Sequence, residues 1–149
     1  VAESSGLPAL HGILVMALIQ AEQLDDARIA LRRFPHVPKD YLWLYTHCWA
    51  LLAAARLGET ELVTGLRAQL LPYRRLTCSA LDIAISGSVA YFTAEAALAL
   101  GDADAALADL AIAAETTQRI GARPWLGQVR EATERARRLK AASAPGEGH

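Results

Sequence analysis

The sequence predicts an all-α fold, a stack of antiparallel helix hairpins with about seven helices. Hydrophobic residues make up 53% of the 149 positions, and much of that share is alanine, which has the highest helix propensity and suits closely packed helices. Apolar residues recur at intervals of three and four along most of the chain. Glycine and proline interrupt this pattern at short turns, so consecutive helices are expected to be antiparallel neighbours.

Each predicted helix has a recognisable start or stop. Pro8 is acceptable in the first turn of the first helix, because the amide it removes has no partner within the helix. Asp40 is suited to cap the third helix, Gly58 ends it, and Pro72 stops the fourth. The seven predicted helices cover residues 7–22, 25–34, 41–57, 59–71, 88–100, 103–120 and 124–141.

The stretch from 72 to 87 is the least regular part of the chain. Ser79 and Ser86 each suit the N-cap of a helix, which predicts a short helical turn near 79–85 and leaves the helix boundaries between 72 and 88 open. The last residues, 143–149, are polar and contain glycine and proline, so we expect a frayed tail after a folded domain over 1–142.

Composition and charge exclude several classes of protein. The formal net charge is −1 with both signs interspersed, so no basic surface for nucleic acid is expected. The longest apolar run, at 10–21, is shorter than the roughly 20 residues of a membrane span. No basic flank precedes this run, which predicts no signal peptide and a cytoplasmic location. The chain opens at Val1 without an initiator Met, which predicts excision from a longer polypeptide.

No pattern of residues predicts catalysis or a bound metal or cofactor. The histidines form no HExxH pair, and neither a phosphate loop nor a GxSxG elbow occurs. The aspartates at 25, 26, 102 and 104 lie at helix starts, where a negative charge meets unpaired amides. We therefore predict a non-enzyme without cofactor or metal. Cys48 and Cys78 are expected to be two buried thiols, and whether they ever pair stays open.

Three places in the chain can be laid over one another. Glu22, Gly58 and Gly101 align at tight acidic turns, and they are separated by 36 and then 43 positions, the differences between their residue numbers. The positions that follow also match in type: Asp25, Glu61 and Asp104, then Ala27, Val63 and Ala106. Small apolar residues thus recur where the second helix of each hairpin approaches the first.

This repetition resembles the tetratricopeptide-repeat (TPR) superfamily, whose period is about 34 residues. The resemblance implies a right-handed stack of three hairpins with the seventh helix as a cap, covering nearly the whole chain. Two positions depart from the pattern. Glu22 stands where the other turns have glycine, and Arg67 stands where the other repeats have Leu31 and Leu110.

A narrower resemblance rests on LLPYRR at 70–75, GSVAYF at 87–92 and GARPW at 121–125. In this order they look like the helical-repeat region near the C-terminus of large bacterial signal-transduction ATPases. Those regulators carry a LuxR-type or antibiotic-regulator-type DNA-binding domain, or a nucleotide cyclase. We expect Trp125 to be structural, and Gly87 with Ala90 and Ala94 to let a neighbouring helix come close.

The aromatic run YLWLYTHCW at 41–49 is apolar on all sides in a helix, which favours core packing over ligand contact. Trp43 and His47 are predicted to share one face, and Tyr45 and Trp49 another. In TPR stacks the first helices line a concave groove. Carrying that register over places five residues near it: Gln20, Tyr45, Arg56, Tyr91 and Glu95.

Two groups of basic residues are interpreted as ordinary solvent-exposed charges. Arg74 and Arg75 can in principle hold a phosphate or an acidic partner, although two solvated arginines beside a proline are ordinary. The run from Arg130 to Arg138 alternates with Glu131 and Glu134, which predicts a solvent face with local ion pairs.

The leading functional hypothesis is a non-enzymatic protein-interaction or regulatory scaffold of a bacterial multidomain regulator, and the resemblance above implies a transcriptional regulator. Its partner would be a protein, a peptide or another domain of the same regulator, with no direct contact to nucleic acid or membrane. Three alternatives remain: a self-associating structural module, a small-molecule effector domain with a pocket between the third helix and Tyr91, and the repeat region of a cyclase-linked ATPase.

Overall fold

The computed structural model of the chain describes residues 11–34, 39, 42–80 and 84–143. Within them the chain is helical apart from one ribbon of two short strands, which confirms the predicted all-α class. The helices are α1 (His11–Gln20), α2 (Leu24–Arg32), α3 (Trp43–Leu57), α4 (Thr60–Leu70), α5 (Val89–Ala99), α6 (Ala103–Ile120) and α7 (Arg123–Ser143). A 3-10 turn at Leu71–Tyr73 follows α4, and the strands are β1 (Thr77–Ala80) and β2 (Ala84–Ser88).

The helices pack as successive pairs, and the first helix of each pair also packs on the first helix of the next. α1 contacts α2, α3 contacts α4, and α5 contacts α6. In addition, α1 contacts α3, α3 contacts α5, and α5 contacts α7. The core is centred on α3 and α5, where Leu51, Ala53 and Phe92 are fully buried. This is why α3 can be apolar on all sides, as its sequence predicts.

The three aligned turn positions share one backbone conformation. Glu22, Gly58 and Gly101 have φ values of 59°, 70° and 77°, all in the left-handed region. Glu22 is the one residue other than glycine with positive φ among those described, and its turn nevertheless adopts the same geometry. The aligned small residues Ala27 and Ala106 are both fully buried. The sequence alignment of the three turns therefore corresponds to a repeated local structure.

Side chains cap helix starts at two places, of which the aspartate was predicted and the serine was not. The Asp102 side chain accepts a hydrogen bond of 3.0 Å from the Ala105 amide at the start of α6. Ser88 accepts one of 3.1 Å from the Ala90 amide at the start of α5. Because these side chains satisfy amides that have no partner within the helix, an acidic cap explains Asp102 without a catalytic role.

The short helical turn predicted near 79–85 is wrong for the described part of that stretch. The chain forms the antiparallel ribbon instead, with Thr77 opposite Ser88 and Ser79 opposite Ile85. Pairing continues past the strands, since the Val89 amide donates to the Leu76 carbonyl at 3.0 Å. Serine caps are local signals, whereas strand pairing satisfies backbone groups of two separated segments at once.

Several sequence predictions fall outside the described residues. They include the part of the first helix before His11 with Pro8 in it, the proposed cap Asp40, and residues 144–149 of the tail. Within the described part, α3 begins at Trp43, with Leu42 in the cap position and no capping hydrogen bond from its side chain.

Candidate interaction site

Three of the five predicted groove residues lie together. Arg56 is in the last turn of α3, and Tyr91 and Glu95 lie one helical turn apart on α5, so that their side chains share a face. Among the described residues, no hydrogen bond or ion pair of this cluster includes either of the other two. Tyr45 is buried with its ring 6.3 Å from that of Trp49, and Gln20 is the exposed last residue of α1.

Glu95 is the centre of the cluster, and its residue is only 3% exposed. Both of its carboxylate oxygens accept hydrogen bonds from Arg135 of α7: Nη1 donates to Oε2 at 3.0 Å, and Nη2 donates to Oε1. Arg56 Nη1 lies 4.0 Å from Oε2 on the other side. A buried carboxylate therefore joins the first helices α3 and α5 to α7 through two guanidinium groups.

The electrostatics of Tyr91 and Arg135 follow from this arrangement. Burial raises the pKa of Tyr91 well above its usual range, and the negative charge of Glu95 raises it further. The Tyr91 hydroxyl donates to Gln128 Oε1 at 3.4 Å, a second link to α7. The hydrogen bonds to Glu95 raise the pKa of Arg135. Arg135 Nε also lies 3.1 Å from Glu131 but without hydrogen-bond alignment, so that contact is electrostatic.

A cleft of about 290 Å³ opens beside this cluster. We call it the Glu95 cleft; its walls are Ala55, Arg56, Glu95, Leu98, Ala99 and Arg135. The Arg56 and Arg135 side chains are 43% and 32% exposed, so both cations reach solvent. The other walls are the buried Glu95 and the apolar residues Ala55, Leu98 and Ala99. The volume is near the lower end for small-molecule sites, which suits one or two side chains of a protein partner better than a complete metabolite.

Two larger depressions exist among the described residues, of about 510 and 540 Å³. One lies at the α5–α6 turn beside Lys140, and the other lies between α2 and α4 beside Phe34. Neither contains a predicted groove residue.

The small-molecule effector alternative requires a pocket between α3 and Tyr91. Aromatic rings pack against one another in that region. Phe92 packs edge to face against Trp49 of α3 at 5.5 Å and against Tyr91 at 5.6 Å. The two predicted faces of α3 are present: the rings of Trp43 and His47 stack at 4.2 Å, and Tyr45 lies beside Trp49. These contacts support core packing as the role of the aromatic run.

Sequence reasoning missed a second buried carboxylate. Asp109 of α6 is fully buried and accepts hydrogen bonds from Arg67 at 2.8 Å and from Arg74 at 3.1 Å. Arg67 Nε also donates to the Thr93 carbonyl at 3.1 Å. The departure of Arg67 from the repeat pattern, where leucine is expected, thus has a partner that explains it. The acidic partner considered for Arg74 lies within this chain.

A signal for this ion cluster was present in the sequence. Asp109 lies between Ala106, Leu110 and Ala113 on the apolar stripe of its helix, at intervals of three and four. A carboxylate on a buried stripe requires a cation from a neighbouring element. The one repeat with a cation at the corresponding leucine position is the second, through Arg67.

The prediction for the basic run on α7, a solvent face with local ion pairs, is confirmed only in part. Arg137 pairs with Glu134 at 2.9 Å on the exposed side, which confirms a predicted local ion pair. Arg135 faces inward to Glu95 instead, and this contact was not predicted. The repeat of basic residues does not indicate which arginine faces α5, since that depends on how α7 is rotated in the fold.

The described histidines take part in packing. His11 Nε2 lies 2.6 Å from the Ala30 carbonyl, His47 Nδ1 lies 2.8 Å from the Trp43 carbonyl, and Phe34 packs between the two imidazole rings. Within 11–34, 39, 42–80 and 84–143, no three His, Cys, Asp or Glu side chains are arranged to hold a metal ion.

Comparisons of the chain with protein-family models, with curated proteins and with solved structures gave no match. In the described part of the chain, no helix has the length and apolar character needed to cross a membrane.

Proposed function

We propose that this chain is a non-enzymatic, TPR-like scaffold domain that binds a protein segment, either from a separate partner or from another domain of the same polypeptide. The observation that carries the proposal is the Glu95 cleft, where α3, α5 and α7 together present two partly exposed guanidinium groups beside a buried carboxylate and an apolar wall. Such a surface is better suited to binding a short peptide or a helix than to catalysing a reaction.

The repeated architecture supports the TPR-like part of the proposal. Three hairpin turns share the left-handed conformation at Glu22, Gly58 and Gly101, and each first helix packs on the next. The outer face of α7 carries exposed charged residues such as Arg130 and Glu134, as a polar cap of a repeat stack requires.

The regulator part of the proposal rests on the motifs GSVAYF and GARPW. These two motifs pack together, because Trp125 lies against Gly87 and its ring is 5.4 Å from that of Tyr91. Their joint presence thus has a structural reason. We propose that the chain belongs to a cytoplasmic bacterial signal-transduction ATPase. Of the two kinds named above, we favour a transcriptional regulator over a cyclase-linked enzyme.

Peptide selection tests the binding proposal. The purified chain is used to select from a random peptide phage library, and the enriched peptides are then titrated against three proteins: wild type, Arg56→Ala and Arg137→Ala. Arg137 is the matched control, since it is an arginine exposed on the outer side of α7. We expect Arg56→Ala to weaken binding about tenfold or more and Arg137→Ala to leave it unchanged. Equal binding to all three proteins, or no enrichment, contradicts the proposal.

Sequencing the reading frame on both sides of this segment tests the context. We expect a phosphate loop of the GxxxxGK[ST] type together with a helix-turn-helix or cyclase domain. A reading frame with neither module contradicts the regulator assignment and leaves the binding proposal to the peptide experiment.

One observation favours self-association as a second candidate. α1 contains no charged residue, yet Leu14 is 53% exposed and Ala17 is exposed as well. Two copies of such a face can meet without burying a charge. Light scattering over a range of concentrations, with Leu14→Glu as the comparison, tests this. A wild-type protein that stays monomeric contradicts it.

A further inference from the structure

The two cysteines of the chain meet across the contact between α3 and the ribbon. Cys48 of α3 and Cys78 of β1 are both fully buried, and α3 packs on β1. Burial raises the pKa of the Cys48 thiol, and the nearby Cys78 thiol raises it further, so the two side chains are neighbours in this contact. Both cysteines are free in the structure.

An irregularity of the ribbon accompanies this contact. Thr77 pairs with Ser88 and Ser79 pairs with Ile85, so the register shifts at Cys78, which lies between the two paired positions. The extra residue lies on β2, where Ser86 and Gly87 are opposite Cys78. The side chain of Cys78 is buried while its neighbours Thr77 and Ser79 are partly exposed, in keeping with the alternation of side chains along a strand. A ribbon of two strands is marginal by itself, so it opens more readily than the helices around it.

We propose that Cys48 and Cys78 form a reversible disulfide when the ribbon opens in the presence of a hydroperoxide, and that the bond fixes the α4–α5 connection to α3. The ribbon is the segment that joins the second hairpin to the third. Oxidation would therefore restrain the angle between the two hairpins that carry Arg56 and Glu95.

The chemistry balances with the hydroperoxide as the oxidant. The thiolate of Cys78, exposed by opening, attacks the terminal peroxide oxygen, the O–O bond breaks, and an alcohol or water leaves with a sulfenic acid formed on Cys78. When the ribbon returns, the Cys48 sulfur attacks the Cys78 sulfur, the S–O bond breaks, and the Cys48 proton leaves with the hydroxyl as water. Burial raises the pKa of the Cys48 thiol, so attack by Cys48 on peroxide in the closed state is slow.

The test treats the folded chain with hydrogen peroxide, blocks the remaining thiols under denaturing conditions, and maps the peptides by mass spectrometry with and without dithiothreitol. We expect a peptide pair linked through Cys48 and Cys78 that the reductant separates. We also expect the melting temperature of the oxidised protein to rise by about 5 °C or more. Hydrogen exchange should show slower opening of β1 after oxidation.

Single variants separate the proposed order of events from a nonspecific reaction. Cys48→Ala should accumulate a sulfenic acid on Cys78 that a dimedone probe traps, whereas Cys78→Ala should leave Cys48 unmodified over the same time. If either variant fails to fold, the wild-type peptide map still decides the question. A wild-type chain that stays folded and free of the linked peptides overturns the proposal, and so does a linkage with no change in melting temperature or exchange.

Discussion

Trp125 packs directly on Gly87, in the space that a side chain at position 87 would occupy. An added Cβ at Gly87 would lie 2.8 Å from Trp125 Cδ2. Gly87 also has φ of 75°, so the position is unfavourable to other residues for two separate reasons. Trp125 in turn packs against Tyr91 and Phe92 of α5, so this contact joins the end of the ribbon, α5 and α7. The structural role predicted for Trp125 is confirmed.

Gly87→Ala should lower the free energy of unfolding by about 2–4 kcal/mol, the sum of a backbone cost and a steric cost. Gly58→Ala is the matched control, because Gly58 has φ of 70° but no atom within 4 Å of the added Cβ. It should lose only about 1–2 kcal/mol. Urea denaturation measures both. Equal losses would mean that the contact with Trp125 is not tight.

Glu22→Gly should stabilise the chain, an unusual outcome for a change to glycine. Glu22 has φ of 59°, where a side chain costs about 1–2 kcal/mol, and the larger unfolded-state entropy of glycine offsets part of the gain. We expect a net increase of about 0.5–1 kcal/mol in the free energy of unfolding. Glu22→Ala keeps the strain and should show no such increase. If glycine and alanine behave alike, the first turn does not share the conformation of the other two.

Asp109→Ala should destabilise the chain by about 3–5 kcal/mol, since it leaves two arginines without their buried partner. Asp104→Ala is the control on the same helix, because that carboxylate is exposed and pairs with Lys140 at the surface. It should cost less than about 1 kcal/mol. Thermal and urea unfolding give both values. The double variant Arg67→Leu with Asp109→Leu should recover much of the loss, because it removes both buried charges together.

The raised pKa of Tyr91 predicts a loss of stability at high pH. The folded state keeps the Tyr91 proton above about pH 10, where the unfolded state releases it, so the unfolded state binds fewer protons and the free energy of unfolding falls as pH rises. The contribution of Tyr91 to the free energy of unfolding is fully present below the pKa that its hydroxyl has in the unfolded state. It is lost as the pH rises through the pKa of the folded state. Tyr91→Phe should reduce this slope, by up to about 1.4 kcal/mol for each pH unit. Equal slopes for wild type and Tyr91→Phe would contradict the buried position of the hydroxyl.

Local signals in the sequence were sufficient for the turns at Gly58 and Gly101 and for the cap at Asp102. Gly58, Gly101 and Asp102 act through their own backbone or through amides three residues away, so their effects can be read from short windows. The small residues after each turn are also local, and they indicate correctly where two adjacent helices approach.

Two contacts between distant segments could not be predicted from the sequence: the pairing of the ribbon strands and the ion pair between Glu95 and Arg135. The ribbon depends on pairing between 77–80 and 84–88, which competes with serine capping. The contact between Glu95 and Arg135 depends on the rotation of α7, as does the choice of Arg135 among neighbouring arginines. The sequence also could not show whether Tyr45 faces the groove or the core. A helix with apolar residues on every side does not indicate which side lines a groove.

The most direct measurement of the central claim is chemical-shift mapping of the chain, labelled with ¹⁵N, during titration with a peptide enriched by the phage selection. If the Glu95 cleft is the binding surface, the largest shifts fall on the backbone amides of Arg56, Leu98, Ala99 and Arg135. In Arg56→Ala, the remaining amides should need about tenfold more peptide, or more, to shift as far. Shifts concentrated on α1, or in the depression between α2 and α4, with those amides unchanged, would contradict the account.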